Sequence, residues 1–152
     1  MKIMKGFFIQ TFLLIFLGSI FIPTSLVHAD SGISDVYDFD VGYIIESGDL
    51  LVMDLDIDFT SLIIEIVSYD DGFIEVNIPR GLIDSKYSET EDDIFYVIID
   101  GLESDYLEVG SSNTQRTLIV PFFADDQEIE IFGTNVLSKT PQNTDSTVEI
   151  PT

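Results

Sequence analysis

The chain has 152 residues, 45% of them hydrophobic, and a formal net charge of −22 at pH 7. Such a charge repels nucleic-acid phosphates and anionic membrane surfaces, so neither is an expected partner, and the hydrophobic fraction argues against disorder. The sequence has no cysteine, and its one histidine is His28. Disulfides, thiolate or imidazole metal sites and Cys-His or Ser-His-Asp catalysis are therefore excluded for the residues after position 29.

The first 29 residues have the features of a secretory signal in their usual order. Lys2 and Lys5 precede an apolar stretch over 7–23, and Val27 and Ala29 occupy the −3 and −1 positions of a small-residue cleavage site. We expect a signal helix that is cleaved after Ala29, which makes the protein secreted or attached to the cell surface without membrane insertion. The alternative is an uncleaved N-terminal membrane anchor, since the apolar run approaches the roughly 20 residues that span a bilayer.

Residues 30–137 are long enough for one domain, and residues 138–152 lack any hydrophobic period and are predicted to be a flexible tail. All 28 acidic residues follow position 29, whereas two of the six basic residues precede it. Cleavage therefore leaves a net charge of −24 on the exported part.

An alternation of apolar and polar residues with period two dominates the domain, as in half-buried strands. It predicts strands over 37–45 and 50–58, joined by a turn at 46–49, with Leu51, Met53, Leu55 and Ile57 facing inward in the second strand. Residues 61–79 are predicted to form a hairpin, because the Asp-Gly pair at 71–72 is typical of a tight turn.

Further strands follow at short spacing. Residues 80–84 are predicted to form a short helical turn or a corner, 85–93 an acidic loop, and 94–100 a central strand that is apolar on both faces. Later segments with the same alternation predict strands over 116–122 and 128–132. The sequence thus predicts an all-β, immunoglobulin-like antiparallel β-sandwich of about seven to nine strands.

Three motifs within residues 36–134 are distinctive: Pro-Arg-Gly-Leu-Ile-Asp at 79–84, the Asp-Gly pair at 71–72, and Arg-Thr-Leu at 116–118 followed by Pro-Phe. In these the chain resembles the small secreted β-sandwich domain of ammonia-oxidising archaea, often found in proteins with a PEFG-type C-terminal sorting signal. The resemblance implies an exported or cell-surface module and carries no activity or binding residue. This chain lacks the PEFG motif.

The acidic loop offers oxygen ligands for calcium, which binds carboxylates from loops without fixed spacing. The candidate ligands are Asp84, Glu91, Asp92 and Asp93. The alternative is an acidic loop that serves solubility alone. An EF-hand is not expected over 54–65, because the position that requires glycine is Phe59. No cofactor is required by the sequence, and calcium is the one that it would accommodate.

Arg80 and Arg116 are conspicuous in a chain with so few cations. Each would bind an external anion or form an internal ion pair, and the excess of nearby acids favours the ion pair, with Asp84 as a partner of Arg80. Pro79 and Gly81 around Arg80 indicate an abrupt corner where a strand ends.

No nucleophile–base pattern is present, so we do not expect an enzyme. The sequence indicates an exported acidic module with a structural, adhesive or binding role at the envelope or outside the cell, and its partner would be an envelope protein or a glycan. The alternative is a calcium-stabilised binding protein for a small ligand or glycan.

Overall fold

The computed structural model describes residues 28–137, and every regular element in that part is a β-strand. The predicted signal segment falls on residues 1–27, outside the described residues, apart from His28 and Ala29. The predicted tail, 138–152, lies wholly outside them. The strands are β1 (Ala29–Val36), β2 (Phe39–Asp56), β3 (Ser61–Pro79), β4 (Ile83–Asp84), β5 (Lys86–Ser88), β6 (Glu91–Asp92), β7 (Tyr96–Ile99), β8 (Leu102–Ser104), β9 (Leu107–Ser111), β10 (Gln115–Phe122), β11 (Glu128–Phe132) and β12 (Asn135–Val136).

Eight of these strands form one antiparallel sheet, and two small sheets pair β4 with β12 and β5 with β6. The all-β prediction is confirmed. The long strands β2 and β3 pair along most of their length, and each belongs to both layers of the fold. The second half of β3 pairs with β10, and its first half pairs with β11. One layer therefore holds β1, β10 and β9, the other holds β11, β7 and β8, and the β2–β3 hairpin connects them, consistent with a β-sandwich.

The predicted hairpin at 61–79 is wrong, and so is the predicted turn at 46–49. Both segments lie inside long strands, at the place where β2 and β3 bend from one layer to the other with a register shift between Glu46 and Gly48. A Cβ on Gly72 would overlap the carbonyl oxygen of Glu46, and one on Gly48 would lie 2.7 Å from the carbonyl oxygen of Val67. The two glycines thus allow the backbones of β2 and β3 to approach each other closely, and they do not mark a reversal of the chain.

The chain reverses instead at residues 57–60, between β2 and β3. The Asp56 carboxylate accepts hydrogen bonds from the backbone N–H groups of Asp58 (2.9 Å) and Phe59 (3.1 Å). Thr60 has a φ of 59°, in the left-handed region that tight turns use. An aspartate that caps the N–H groups of a turn in this way stabilises the reversal without any metal.

One hydrophobic core lies between the layers, and the period-two prediction is confirmed for most of it. The buried side chains alternate along each long strand, as in Ile74, Val76 and Ile78 of β3 and Leu118, Val120 and Phe122 of β10. Two residues that were predicted to face inward are exposed. Leu51 lies at a second register shift of β2, between Leu50 and Val52, and Ile57 lies beyond the end of β2, in the turn to β3. A one-residue shift turns every following side chain to the other face, so the alternation read from the sequence changes phase there.

Candidate functional site

The described part contains three lysines and arginines, and all three lie at one corner of the fold. Pro79 at the end of β3 is in register with Gln115 at the start of β10, so the two strand ends meet there. Each cation lies within 4 Å of at least one carboxylate oxygen. The three cations and their three carboxylate partners together form what we call the corner cluster: Arg80, Lys86, Arg116, Asp84, Asp92 and Glu108.

The backbone fixes Arg80 before its side chain makes any contact. Pro79 ends β3, the N–H of Arg80 donates to the Thr114 carbonyl (2.9 Å), and the N–H of Leu82 donates back to the Pro79 carbonyl (3.0 Å). This turn leads into β4, which pairs with β12 and thereby places Asp84. The predicted corner at 80–84 is confirmed as a hydrogen-bonded turn followed by a short strand.

Every N–H of the Arg80 guanidinium has an acceptor within the protein. Nε donates to the Ser112 carbonyl (2.6 Å), and Nη1 donates to the carboxylates of Asp84 (2.8 Å) and Asp92 (2.9 Å). Nη2 donates to Asp92 (2.6 Å) and to the Ser111 hydroxyl (2.8 Å). A guanidinium has five N–H groups, so none remains for an external anion. This geometry favours the internal ion pair over the anion-binding hypothesis.

Arg116 occupies an inward position of β10 and is 2% exposed. Its Nε and Nη2 donate to the two carboxylate oxygens of Glu108 (2.9 and 2.6 Å), a paired geometry that only arginine provides. Its Nη1 donates to the backbone carbonyls of Ser85 (3.0 Å) and Asp93 (2.9 Å). The guanidinium also lies over the Phe95 ring, 4.3 Å from its centre. Arg116 thus connects β10 to both ends of the acidic segment.

The charges of the cluster change the acidities of its members. Hydrogen bonds from Arg80, and secondarily from Lys86, hold the pKa of Asp92 well below its usual range. The hydrogen bonds with Asp92 and then Asp84 raise the pKa of Arg80, against the effect of partial burial. Burial acts to lower the pKa of Arg116, but the hydrogen bonds to Glu108 and the charges of Glu108, Asp92 and Asp84 together outweigh it and raise that pKa. These shifts keep Arg80, Arg116 and Asp92 charged at neutral pH.

The predicted calcium ligands do not converge on a common point in the structure. Asp84 and Asp92 face Arg80, while Lys86 lies 3.2 Å from the Asp92 carboxylate and 3.6 Å from that of Asp84. The Asp93 carboxylate accepts the N–H of Ile94 (2.8 Å), and Glu91 is exposed in β6. Within residues 28–137, no three acidic side chains are grouped as metal ligands. The calcium site stays a prediction.

The acidic segment is also more ordered than a loop. Residues 86–92 form the β5–β6 hairpin, in which Lys86 is in register with Asp92. Sequence reasoning missed two members of the cluster, Lys86 and Glu108. Lys86 could have been predicted from the sequence, because a scarce cation between acidic residues is a strong candidate for an ion pair. Glu108 could not have been predicted, since nothing in its local sequence distinguishes it from the other glutamates.

His28 forms a second polar group on the opposite part of the fold. Its Nε2 lies 2.7 Å from the Asp49 carboxylate, which also accepts the Tyr69 hydroxyl, and its carbonyl accepts the N–H of Ser47 (2.6 Å). Hydrogen bonds from Tyr69 and His28 lower the pKa of Asp49. Ala29 begins β1, in register with Glu46. Cleavage after Ala29 would remove both His28 and the first residue of this strand.

Compared with protein-family models, with curated proteins and with solved structures, the chain matches none. Residues 28–137 include no helix that is long and apolar enough to cross a membrane.

Proposed function

We propose that the protein is an exported, acidic β-sandwich module of immunoglobulin-like class that acts by binding or structural support at the cell envelope or outside the cell. The observation that carries the proposal is the location of the cations. All three lysines and arginines of the described part are engaged in the corner cluster. Among lysine, arginine, aspartate and glutamate, the remaining surface of residues 28–137 therefore presents only carboxylates, and its partners carry positive charge or neutral hydrogen-bonding groups.

The magnitude of that surface charge supports the same proposal. Of the 28 acidic residues, Asp145 and Glu149 lie beyond residue 137 and three belong to the corner cluster, which leaves 23 on the rest of residues 28–137. Such a surface repels nucleic acids and anionic lipids and keeps the protein soluble. An envelope protein or a glycan is the partner class that remains, and catalysis is not part of the proposal.

The signal-like N-terminus and the resemblance to archaeal secreted domains support the location outside the cytoplasm. The two layers around one core support the immunoglobulin-like class. Cleavage after Ala29 gives the secreted form, and retention of the N-terminal segment gives the anchored form.

Fractionation of a producing host, with intact-mass measurement of the recovered protein, tests the location. We expect the protein in the envelope or medium, with a mass that corresponds to loss of residues 1–29. The matched controls are Leu14→Asp, which interrupts the apolar stretch and should hold the protein in the cytoplasm, and Ala29→Leu, which should block cleavage only. Cytoplasmic accumulation of the unaltered chain would refute export, and an uncleaved protein in the envelope would establish the anchor.

A further inference from the structure

An apolar groove lies at the side of the fold where β8 and the end of β10 come together. It has a volume of about 370 Å³ and is lined by apolar side chains from both layers, which include Ile99, Leu102, Pro121 and Phe123. Leu102 is 75% exposed and Phe123 is 72% exposed. Large side chains so exposed around a concavity are typical of interaction sites.

The rim of this groove is acidic. Glu103, Asp105 and Asp126 line it together with the apolar side chains. All lysines and arginines of the described part are in the corner cluster, so none of them lines the groove. A ligand that fills the groove is therefore surrounded by negative charge and gains from carrying positive charge at its own edges.

The neighbouring strand favours an extended ligand. Within residues 28–137, β8 lies at the end of the sheet and pairs with β7 alone. Its other edge leaves backbone groups available beside Leu102, and an extended segment pairs with such an edge while alternate side chains enter a groove.

We propose that this groove binds an extended segment of a different protein, in which a short apolar centre is flanked by lysine or arginine. The inference deepens the proposed function, on which it rests, by giving the chemistry of the partner. A second copy of the chain does not suit the groove, because it would bring the same acidic rim and a similarly large negative charge.

The test uses the protein recovered from the producing host, labelled with ¹⁵N, and two synthetic peptides with two lysines at each end. One peptide has a Leu-Val-Leu centre and the other a Ser-Gly-Ser centre. We expect amide shifts confined to residues around Leu102 and Phe123, and affinity for the apolar peptide about tenfold or more above that for the polar one. The same ratio of affinities corresponds to about 1.4 kcal/mol.

Leu102→Ser and Phe123→Ser should each abolish this preference, whereas Ile33→Ser is the matched control. Ile33 is 71% exposed on β1, at the far edge of the sheet, so its loss should leave the preference unchanged. Equal binding of both peptides, equal weakening by Ile33→Ser, or concentration-dependent self-association with shifts at the groove would each overturn the inference. None of these outcomes bears on export, which the fractionation tests separately.

Discussion

The corner cluster and the outer faces of the sheet use charge in opposite ways. In the cluster, carboxylates are paired with arginine at 2.6–2.9 Å and partly withdrawn from water. On the outer faces, acids such as Asp54, Glu65 and Glu103 lie on exposed strands without a lysine or arginine of residues 28–137 beside them. Since ion pairs gain most where water is excluded, the few cations contribute more at this corner than they would on the surface.

Electrostatic stabilisation is needed where the fold has little apolar surface to bury. The acidic segment 84–93 has little apolar surface to bury, because five of its ten residues are aspartate or glutamate. Two arginines hold it from both sides, one through side chains and one through backbone carbonyls. The outer faces lie on a hydrophobic core that stabilises them without any cation.

Removal of Arg116 should have the largest effect. Arg116→Met leaves Glu108 without its partner and two carbonyls without a donor, and loss of one member of a buried ion pair typically costs about 3–5 kcal/mol. Urea unfolding at pH 7 would measure the free energy of unfolding. Glu65→Gln, a change of charge at an exposed position of β3, is the matched control and should alter stability by less than about 0.5 kcal/mol. A loss below about 1 kcal/mol for Arg116→Met would show that the corner is not held by this side chain.

Replacement of Arg80 should have the next largest effect. Arg80→Lys keeps the charge but loses the planar arrangement that reaches Asp84 and Asp92 together, so we expect a loss of about 1–2 kcal/mol, and more for Arg80→Met. Thermal unfolding of both variants and of the unaltered protein at the same ionic strength gives the order of their stabilities. If both variants were as stable as the unaltered protein, neither the charge nor the geometry of Arg80 would matter.

The pH dependence should distinguish Asp92 from the surface acids. Its folded-state pKa is depressed, so its contribution is fully present above the unfolded-state value of 3.8 and is lost as the pH falls from there towards the lower folded-state value. Because the side chain is 38% exposed, we discount for screening and expect about 1 kcal/mol at pH 7. Asp92→Asn should therefore be less stable than the unaltered protein at pH 7, and the difference should shrink progressively as the pH falls below 3.8. A difference that is constant with pH would contradict the ion pair.

Calcium should have the smallest effect. Asp84 and Asp92 already face cations of the protein, so we expect sodium chloride of matched ionic strength to reproduce any rise in melting temperature that calcium produces over EDTA. A calcium-specific rise at sub-millimolar concentration, lost in Asp84→Ala, would instead establish the calcium site and give its affinity.

The sequence allowed the strand class and most of the core to be predicted, because burial on one face imposes a period of two. It did not allow the path of the long strands to be predicted. Asp71 and Gly72 have the composition of a turn, but they lie where β3 crosses Glu46, and only the packing of two layers distinguishes these cases. The pairing of Arg80 with Asp84 is a local contact at four residues' distance, which made it accessible to sequence reasoning.

The rest of the corner cluster depends on contacts between distant segments. Arg116 meets Ser85 and Asp93 because β10 begins where β3 ends, and that adjacency follows from sheet order, which no local pattern encodes. Glu108 enters the cluster through the pairing of β9 with β10, at a register shift that follows Thr117.

The most direct test of the account is NMR observation of the guanidinium groups. Arg80 has all five guanidinium N–H groups engaged within the protein, and Arg116 makes four such hydrogen bonds while buried. Their engaged Nε–H and Nη–H signals should therefore be resolved, slow to exchange with water at pH 7, and unchanged when sulfate is added. A single averaged Nη–H signal for Arg80 that exchanges rapidly and shifts on titration with sulfate would show a guanidinium open to external anions, and would contradict the corner cluster as described.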